Sequence, residues 1–233
     1  HSTRSLPGHC RLRVTHFGYA SREYGLGAAA ASLGRFVAED PKSLSASLQV
    51  FLVDDGARGR LERHLMDLGY ERARAPLTYR ETLRLDLSPD EDVLFGSFAP
   101  TCRRFIRAPE KKGLSVRTMD DPQWADRMDT IWRDTFARTG ARAPSRQWSD
   151  LLEFAGRHPR ELRIVGTFGP NYPDPPSLTA FACGMNNSDH AVYADGGSCR
   201  DIGSSVPLSY APMWNLIRWA KSMGCVWFDF GGV

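Results

Sequence analysis

The sequence predicts a mixed α/β fold made of two similar units, and three observations carry that expectation. Apolar runs too short for helices, Leu48–Val53 and Cys225–Phe230, are rich in strand formers and stop at Asp54-Asp55-Gly56 and Gly231-Gly232. Around them lie stretches with apolar residues at three- and four-residue spacing, which marks helices with one buried face. The order strand, helix, strand recurs. A crossover of that length joins parallel or splayed neighbouring strands and lays the helix over one face of the sheet.

The elements follow in order. Arg11–Thr15 reads as a short strand. Leu26, Ala29, Ala30, Leu33 and Val37 form a helical stripe that ends near Asp40-Pro41, because proline restricts the residue before it. After the strand Leu48–Val53, a short helix turns Leu61, Leu65 and Leu68 inward and stops at Gly69. Tyr79–Leu87 alternates, with Thr82, Arg84 and Asp86 on a wet face. Ser88 with Pro89 and the acids Asp90 and Glu91 signals a helix start. The segment Thr101–Gly113 that follows is the most basic in the chain.

A second unit opens with an alternating strand at Leu114–Met119. Asp121 caps a helix with Pro122 at its first position, and Trp124, Met128, Ile131, Trp132, Thr135 and Phe136 share its inner face. Ser145 opens another helix, with Trp148, Leu151, Leu152 and Ala155 inward. Three strands come next, Glu161–Phe168, Leu178–Met185 and His190–Ala194. The helix Ser209–Gly224 carries Met213, Leu216, Ile217 and Ala220 on one side, and Asn215, Arg218, Lys221 and Ser222 on the other. The expected division is residues 1–113 and 114–233.

Composition narrows the function classes. With 42% hydrophobic and 24% charged residues the 233-residue chain has the make-up of a soluble globular protein, and no apolar run is long enough to span a bilayer. The expected compartment is the cytoplasm. Five cysteines, Cys10, Cys102, Cys183, Cys199 and Cys225, lack the spacing of a zinc site or a disulfide framework and read as reduced thiols. His64 and His190 have no ligand-spaced partner, so no metal is expected. The formal charge of +3 does not by itself imply a nucleic-acid partner. The chain has no initiator Met and stops directly after a strand, so a fragment cut at both ends is the expectation.

The wording of several stretches is informative. Tyr193-Ala194-Asp195-Gly196-Gly197-Ser198, then a proline-containing loop, then the run from Tyr210 to Val233 resembles the second acyltransferase-like domain of the Fem family. Glu81–Val116 is similar to that family's junction between domains, and Leu65–Ala73 with Leu77–Thr82 to the end of its first domain. The resemblance covers the chain from about Gly25 to Val233 in the right order. It implies tandem GNAT-like domains, the second running only to its fifth strand. It further implies transfer of an amino acid from aminoacyl-tRNA to an amine of a peptidoglycan precursor, a UDP- or lipid-linked muramyl peptide. A lipid-linked substrate would bring peripheral membrane contact, and no cofactor is required. The family's Phe-Lys pair after the Gly-Gly turn would lie beyond Val233.

Aminolysis of an ester needs a neutral amine, a stabilised oxyanion and a placed donor, with no covalent intermediate, so an enzyme nucleophile is unnecessary. No GxSxG elbow is present. Asp195 and Asp229, at the ends of two strands expected to be adjacent, are the candidate carboxylates to orient or deprotonate the amine; either could instead cap a turn. Tyr193 is a candidate hydrogen-bond donor, or simply packs. Arg103, Arg104 and Arg107 are candidates to contact tRNA or phosphate, against the plainer reading of a solvated helix face. Arg200 opens Arg200–Ser205, a near match to the pyrophosphate turn of CoA-dependent GNAT enzymes that departs from it at the final Ser and at Pro207. Gly196, Gly197, Gly231 and Gly232 most simply serve turns, or allow close approach of a substrate. Two other readings stand beside the first: an acyl-CoA-dependent N-acyltransferase, as in exopolysaccharide synthesis, and a non-catalytic Fem-like interaction module.

Overall fold

The computed structural model describes residues 9–17, 25–50, 52, 54–75, 81–171, 173–187, 189–199 and 207–232. The chain separates into two compact units, one running up to Thr82 and the other spanning Leu83–Gly231. The segment Leu83–Gly113, grouped from sequence with residues 1–113, is counted with the second unit.

The first unit contains β1 (Cys10–Phe17), α1 (Leu26–Glu39), β2 (Ser43–Val50) and α2 (Asp55–Asp67). β1 and β2 pair in parallel across the α1 crossover. Ala30, Leu52, Ala57, Leu61 and Leu65 form the core, and the Tyr70 hydroxyl donates to the Ala30 carbonyl at 2.8 Å. β2 begins earlier than the apolar run suggests, because the Asp40 carboxylate accepts from Ser43 Oγ at 2.6 Å and from the Lys42 amide, turning the chain straight into the strand. Phe51 and Val53, the end of that run, lie outside the described residues. Asp54 caps α2 by accepting from the Ala57 amide. Leu68, expected inward, is exposed: it is the C-cap residue and falls off the buried stripe.

The second unit begins with β3 (Thr82–Asp86), α3 (Glu91–Ser97), α4 (Pro100–Lys111) and β4 (Ser115–Thr118). A 3₁₀ turn at Pro122–Trp124 leads into α5 (Ala125–Ala137) and α6 (Trp148–Arg157). Then come β5 (Leu162–Phe168), β6 (Leu178–Asn186), β7 (His190–Ser198), α7 (Tyr210–Ser222) and β8 (Trp227–Gly232). The strands form one six-stranded mixed sheet in the order β3-β8-β7-β6-β5-β4. β4 to β7 are antiparallel neighbours, and β8 joins β7 in parallel across α7, as the crossover pattern predicts.

Helices cover both faces of this sheet. α5 and α6 pack Met128, Ile131, Trp132, Trp148 and Leu152 on Ile164, Phe181 and Cys183. On the other face α7 packs Trp214, Leu216, Ile217, Trp219 and Ala220 on Val165, Ala182, Ala191 and Phe228. Burial on both faces explains why β5 and β6 read as almost continuous apolar runs. α7 ends where Gly224 adopts φ 84° and the Cys225 amide reaches back to the Ala220 carbonyl at 3.1 Å.

Several local expectations are corrected. Ser88 does not cap a helix; its amide and hydroxyl both donate to Asp86, and α3 starts only after Asp90. The basic segment is a separate helix, α4, because Phe98 and Ala99 are extended before Pro100. Ser145 precedes α6 by three positions, and Gln147 is the N-cap. Leu83 is exposed rather than on a buried face. Tyr79 and Arg80 lie outside the described residues. Asp121 does cap, accepting from the Gln123 amide at 2.9 Å, although the turn it starts is 3₁₀ before it becomes α5.

Candidate active site

The site is built around an irregularity in β7. Along the β6–β7 ladder Cys183 faces Asp195, but the next rung joins Gly184 to Tyr193, so β7 carries one extra residue, Ala194. Such a bulge breaks the alternation of side chains. Tyr193 packs with the α7 cluster, and a Cβ on its partner Gly184 would touch Leu216 and Trp219. Asp195 shares the face of its partner Cys183, which belongs to the α5 and α6 cluster. The candidates Tyr193 and Asp195 are therefore on opposite faces of the sheet.

On the α5 and α6 face Asp195 meets Arg146, from the loop before α6. Nε and Nη2 of Arg146 donate to the two carboxylate oxygens at 3.0 Å each, a bidentate pair at 35% and 12% side-chain exposure. The hydrogen bonds to Asp195 raise the Arg146 pKa further, against the opposing effect of burial. The same guanidinium lies 5.6 Å from the Trp132 ring centre, and Trp132 Nε1 donates to the Pro144 carbonyl at 2.9 Å. The loop is thus tied to β7 through Arg146 and to α5 through Trp132. Arg146 also lines an open cavity of about 1060 Å³ between α5 and the loop, together with Asp126, Asp129, Arg133 and Arg142.

On the α7 face Tyr193 is half-buried, and burial first, then the nearby Cys183 and Asp195, pushes its pKa well above that of a free phenol. Burial thus favours the protonated phenol. A Cβ on Gly196 would lie 2.4 Å from the Tyr193 hydroxyl and 2.8 Å from the Phe181 carbonyl, and one on Gly197 would lie 2.8 Å from Thr135 Oγ1. Neither glycine serves a turn: both sit inside β7, which runs to Ser198 rather than stopping at Ala194. Their need is close approach.

β7 and β8 are in register at His190–Trp227, Ala191–Phe228 and Val192–Asp229; from Tyr193 onward β7 pairs with β6 alone. The two parallel strands part at Tyr193. Asp229 stands at the last rung, 1% exposed, with Oδ1 accepting from the Gly231 amide at 2.6 Å. Burial raises its pKa more than that hydrogen bond lowers it. That bond closes on the backbone two residues ahead, at Gly231 with φ 85° inside β8, and the pairing with Val192 sets Asp229 on the face opposite Tyr193.

The arginines of α4 divide. Arg103 is bound up in the fold, with Nη1 donating to the Gly96 and Phe98 carbonyls at the end of α3. Arg104 and Arg107 are exposed, the latter 4.8 Å over Phe95, and they share a basic face with Lys111 and Lys112 around a recess of about 410 Å³. Arg200 and the turn it opens lie outside the described residues. Among the described residues no three His, Cys, Asp or Glu are grouped to hold a metal ion, and no helix is long and apolar enough to cross a membrane. Sequence reading missed Arg146: its one signal is an arginine in the polar link between two amphipathic helices, and nothing local points it at residue 195.

No family model matches the sequence, and no curated protein matches it. Solved structures do. The chain is similar to the crystal structure of FemX, with TM-score 0.63 and 13% identity over 99% of this chain and 74% of that one. It is similar to L-PGS from Bacillus licheniformis, with TM-score 0.53 and 13% identity over 95% of this chain and 62% of that one. A third likeness is to the C-terminal domain of a lysylphosphatidylglycerol synthetase from Agrobacterium fabrum, with TM-score 0.51 and 16% identity over 77% of this chain and 56% of that one. The fold of this chain is a mixed α/β fold like that of FemX.

Proposed function

We propose that this chain is an aminoacyltransferase of the Fem type, moving an amino acid from aminoacyl-tRNA to an amine of a peptidoglycan precursor. The observation that carries the reading is the parting of β7 and β8 just past the Val192–Asp229 rung, which leaves the buried Asp229 carboxyl on one face of the opening and Tyr193 on the other, within a fold like that of FemX.

The chemistry asks little more. The acceptor amine attacks the ester carbonyl, a tetrahedral oxyanion forms, and the ribose hydroxyl leaves carrying a proton. Tyr193, kept protonated by burial, donates to the oxyanion or to the leaving oxygen. Asp229, whose pKa is raised, accepts the proton that the amine loses. The exposed cations of α4, Arg104, Arg107, Lys111 and Lys112, hold the phosphates of the donor. A lipid-linked acceptor would bring the protein to a membrane surface.

The test supplies the protein with labelled aminoacyl-tRNA or labelled acetyl-CoA, each with a muramyl peptide. Label passing from tRNA to the peptide supports the reading. Label passing only from acetyl-CoA replaces it with an acyl-CoA-dependent N-acyltransferase, and transfer from neither leaves the fold as an interaction module.

A further inference from the structure

The element that neither the acid–base scheme nor the basic helix uses is the Arg146–Asp195 pair. It spans 49 positions of sequence and links the loop between α5 and α6 to the bulge of β7. We propose that Arg146 is a positioning residue for the acyl-transfer site: by gripping Asp195 it holds the bulge that sets Tyr193 on the α7 face where β7 and β8 part, and Asp195 is a structural anchor rather than the base. The inference rests on the acyl-transfer reading given above.

Three features of the pair support this. Both carboxylate oxygens are engaged, so Asp195 would have to give up guanidinium contacts to take a proton from a third group. The grip falls at the rung where alternation breaks, Asp195 opposite Cys183 with the extra residue Ala194 just before it. A bulge leaves one residue outside the ladder bonds, so a contact at that point from another element adds to the burial that sets the register. Slippage by one residue would reverse the faces of Tyr193 and its neighbours. The anchor is itself anchored: Trp132, buried in the α5 core, holds Pro144 through its indole nitrogen and lies under the Arg146 guanidinium.

The decisive experiment compares Arg146→Ala, Arg146→Lys, Asp195→Asn and the double variant Arg146→Ala/Asp195→Asn. Hydrogen exchange at the amides of Tyr193–Ser198 is measured beside kcat, KM and the pH–rate profile. Arg146→Ala is expected to lose about tenfold in exchange protection there and about tenfold or more in kcat, with donor KM within about twofold, as misplacement without lost binding predicts. Asp195→Asn should match it and the double variant be no worse, since the two act as one unit. Arg146→Lys, which keeps the charge but not the two-pronged contact, should recover only part. The acid limb of the pH profile should survive in Asp195→Asn, because Asp229 carries it. Loss of that limb in Asp195→Asn alone would make Asp195 the base and overturn the proposal, as would unchanged exchange and kcat in Arg146→Ala. If the wild type transfers from neither donor, the functional reading fails, and the exchange measurement still decides whether Arg146 holds the bulge.

Discussion

Tyr193 and Asp195 stand two residues apart in one strand and project from opposite faces of the sheet. A regular strand would put them on the same face. The extra residue Ala194 separates them, sending the phenol toward α7 and the carboxylate toward Arg146. The division of labour proposed for the site follows from that one inserted residue.

The two glycines after Asp195 are places where a single methyl group should be felt. In Gly196→Ala the new Cβ meets the Phe181 carbonyl at 2.8 Å, a backbone atom that cannot swing away, as well as the Tyr193 hydroxyl. A loss of roughly 1–3 kcal/mol is expected in urea unfolding. Adding Tyr193→Phe should recover only part of it, since the carbonyl remains.

Asp229 should set part of the pH dependence. Its pKa is raised in the folded state, so its contribution to stability is fully present below the unfolded value of about 3.9 and is lost as pH rises through the raised value. Asp229→Asn cannot ionise, yet its Oδ1 can still accept from the Gly231 amide. Thermal unfolding at a series of pH values should show the variant more stable than wild type at neutral pH, with the gap closing toward pH 4. Transfer activity should fall by about 10²-fold, the usual loss for a removed general base.

The cations of α4 should separate by role. Arg104→Ala and Arg107→Ala together should weaken binding of a polyanion and lower the slope of log affinity against log salt by about two, leaving stability within about 0.5 kcal/mol. Arg103→Ala should instead cost about 1 kcal/mol or more in unfolding, because two carbonyls at the end of α3 lose their donor. An unchanged salt slope in the double variant would remove α4 from the donor site.

Trp132→Phe loses the bond from Nε1 to Pro144 together with part of the ring packed against Phe136 and Trp148. A stability loss of about 1–3 kcal/mol is expected. Faster hydrogen exchange should appear in the loop Arg138–Gln147 and spread to β7 through Arg146. Exchange that changes in the loop alone would show that the two ties act separately.

Local chemistry was enough to reveal most of the elements. The stripe from Trp124 to Phe136, the Gly224 stop and the α7 pattern each depend on neighbours within four or five residues, and each formed as the sequence indicates. The parallel pairing of β7 with β8 was legible too, since a single helix between two strands leaves little else for them to do. Boundaries were less legible. Ser88 and Ser145 have good capping chemistry, but Asp86 captured the first, and the loop held by Trp132 and Arg146 delays α6 beyond the second. The site itself belongs to the tertiary structure. Arg146 finds Asp195 across 49 residues, Arg103 is drawn into closing α3, and the face of Tyr193 depends on a register set between strands. The sequence by itself determined which segments become helices and strands, because periodicity and end signals act over a single turn; only the packed sheet decided which side chains meet, because ladder register and loop closure join residues that nothing local relates.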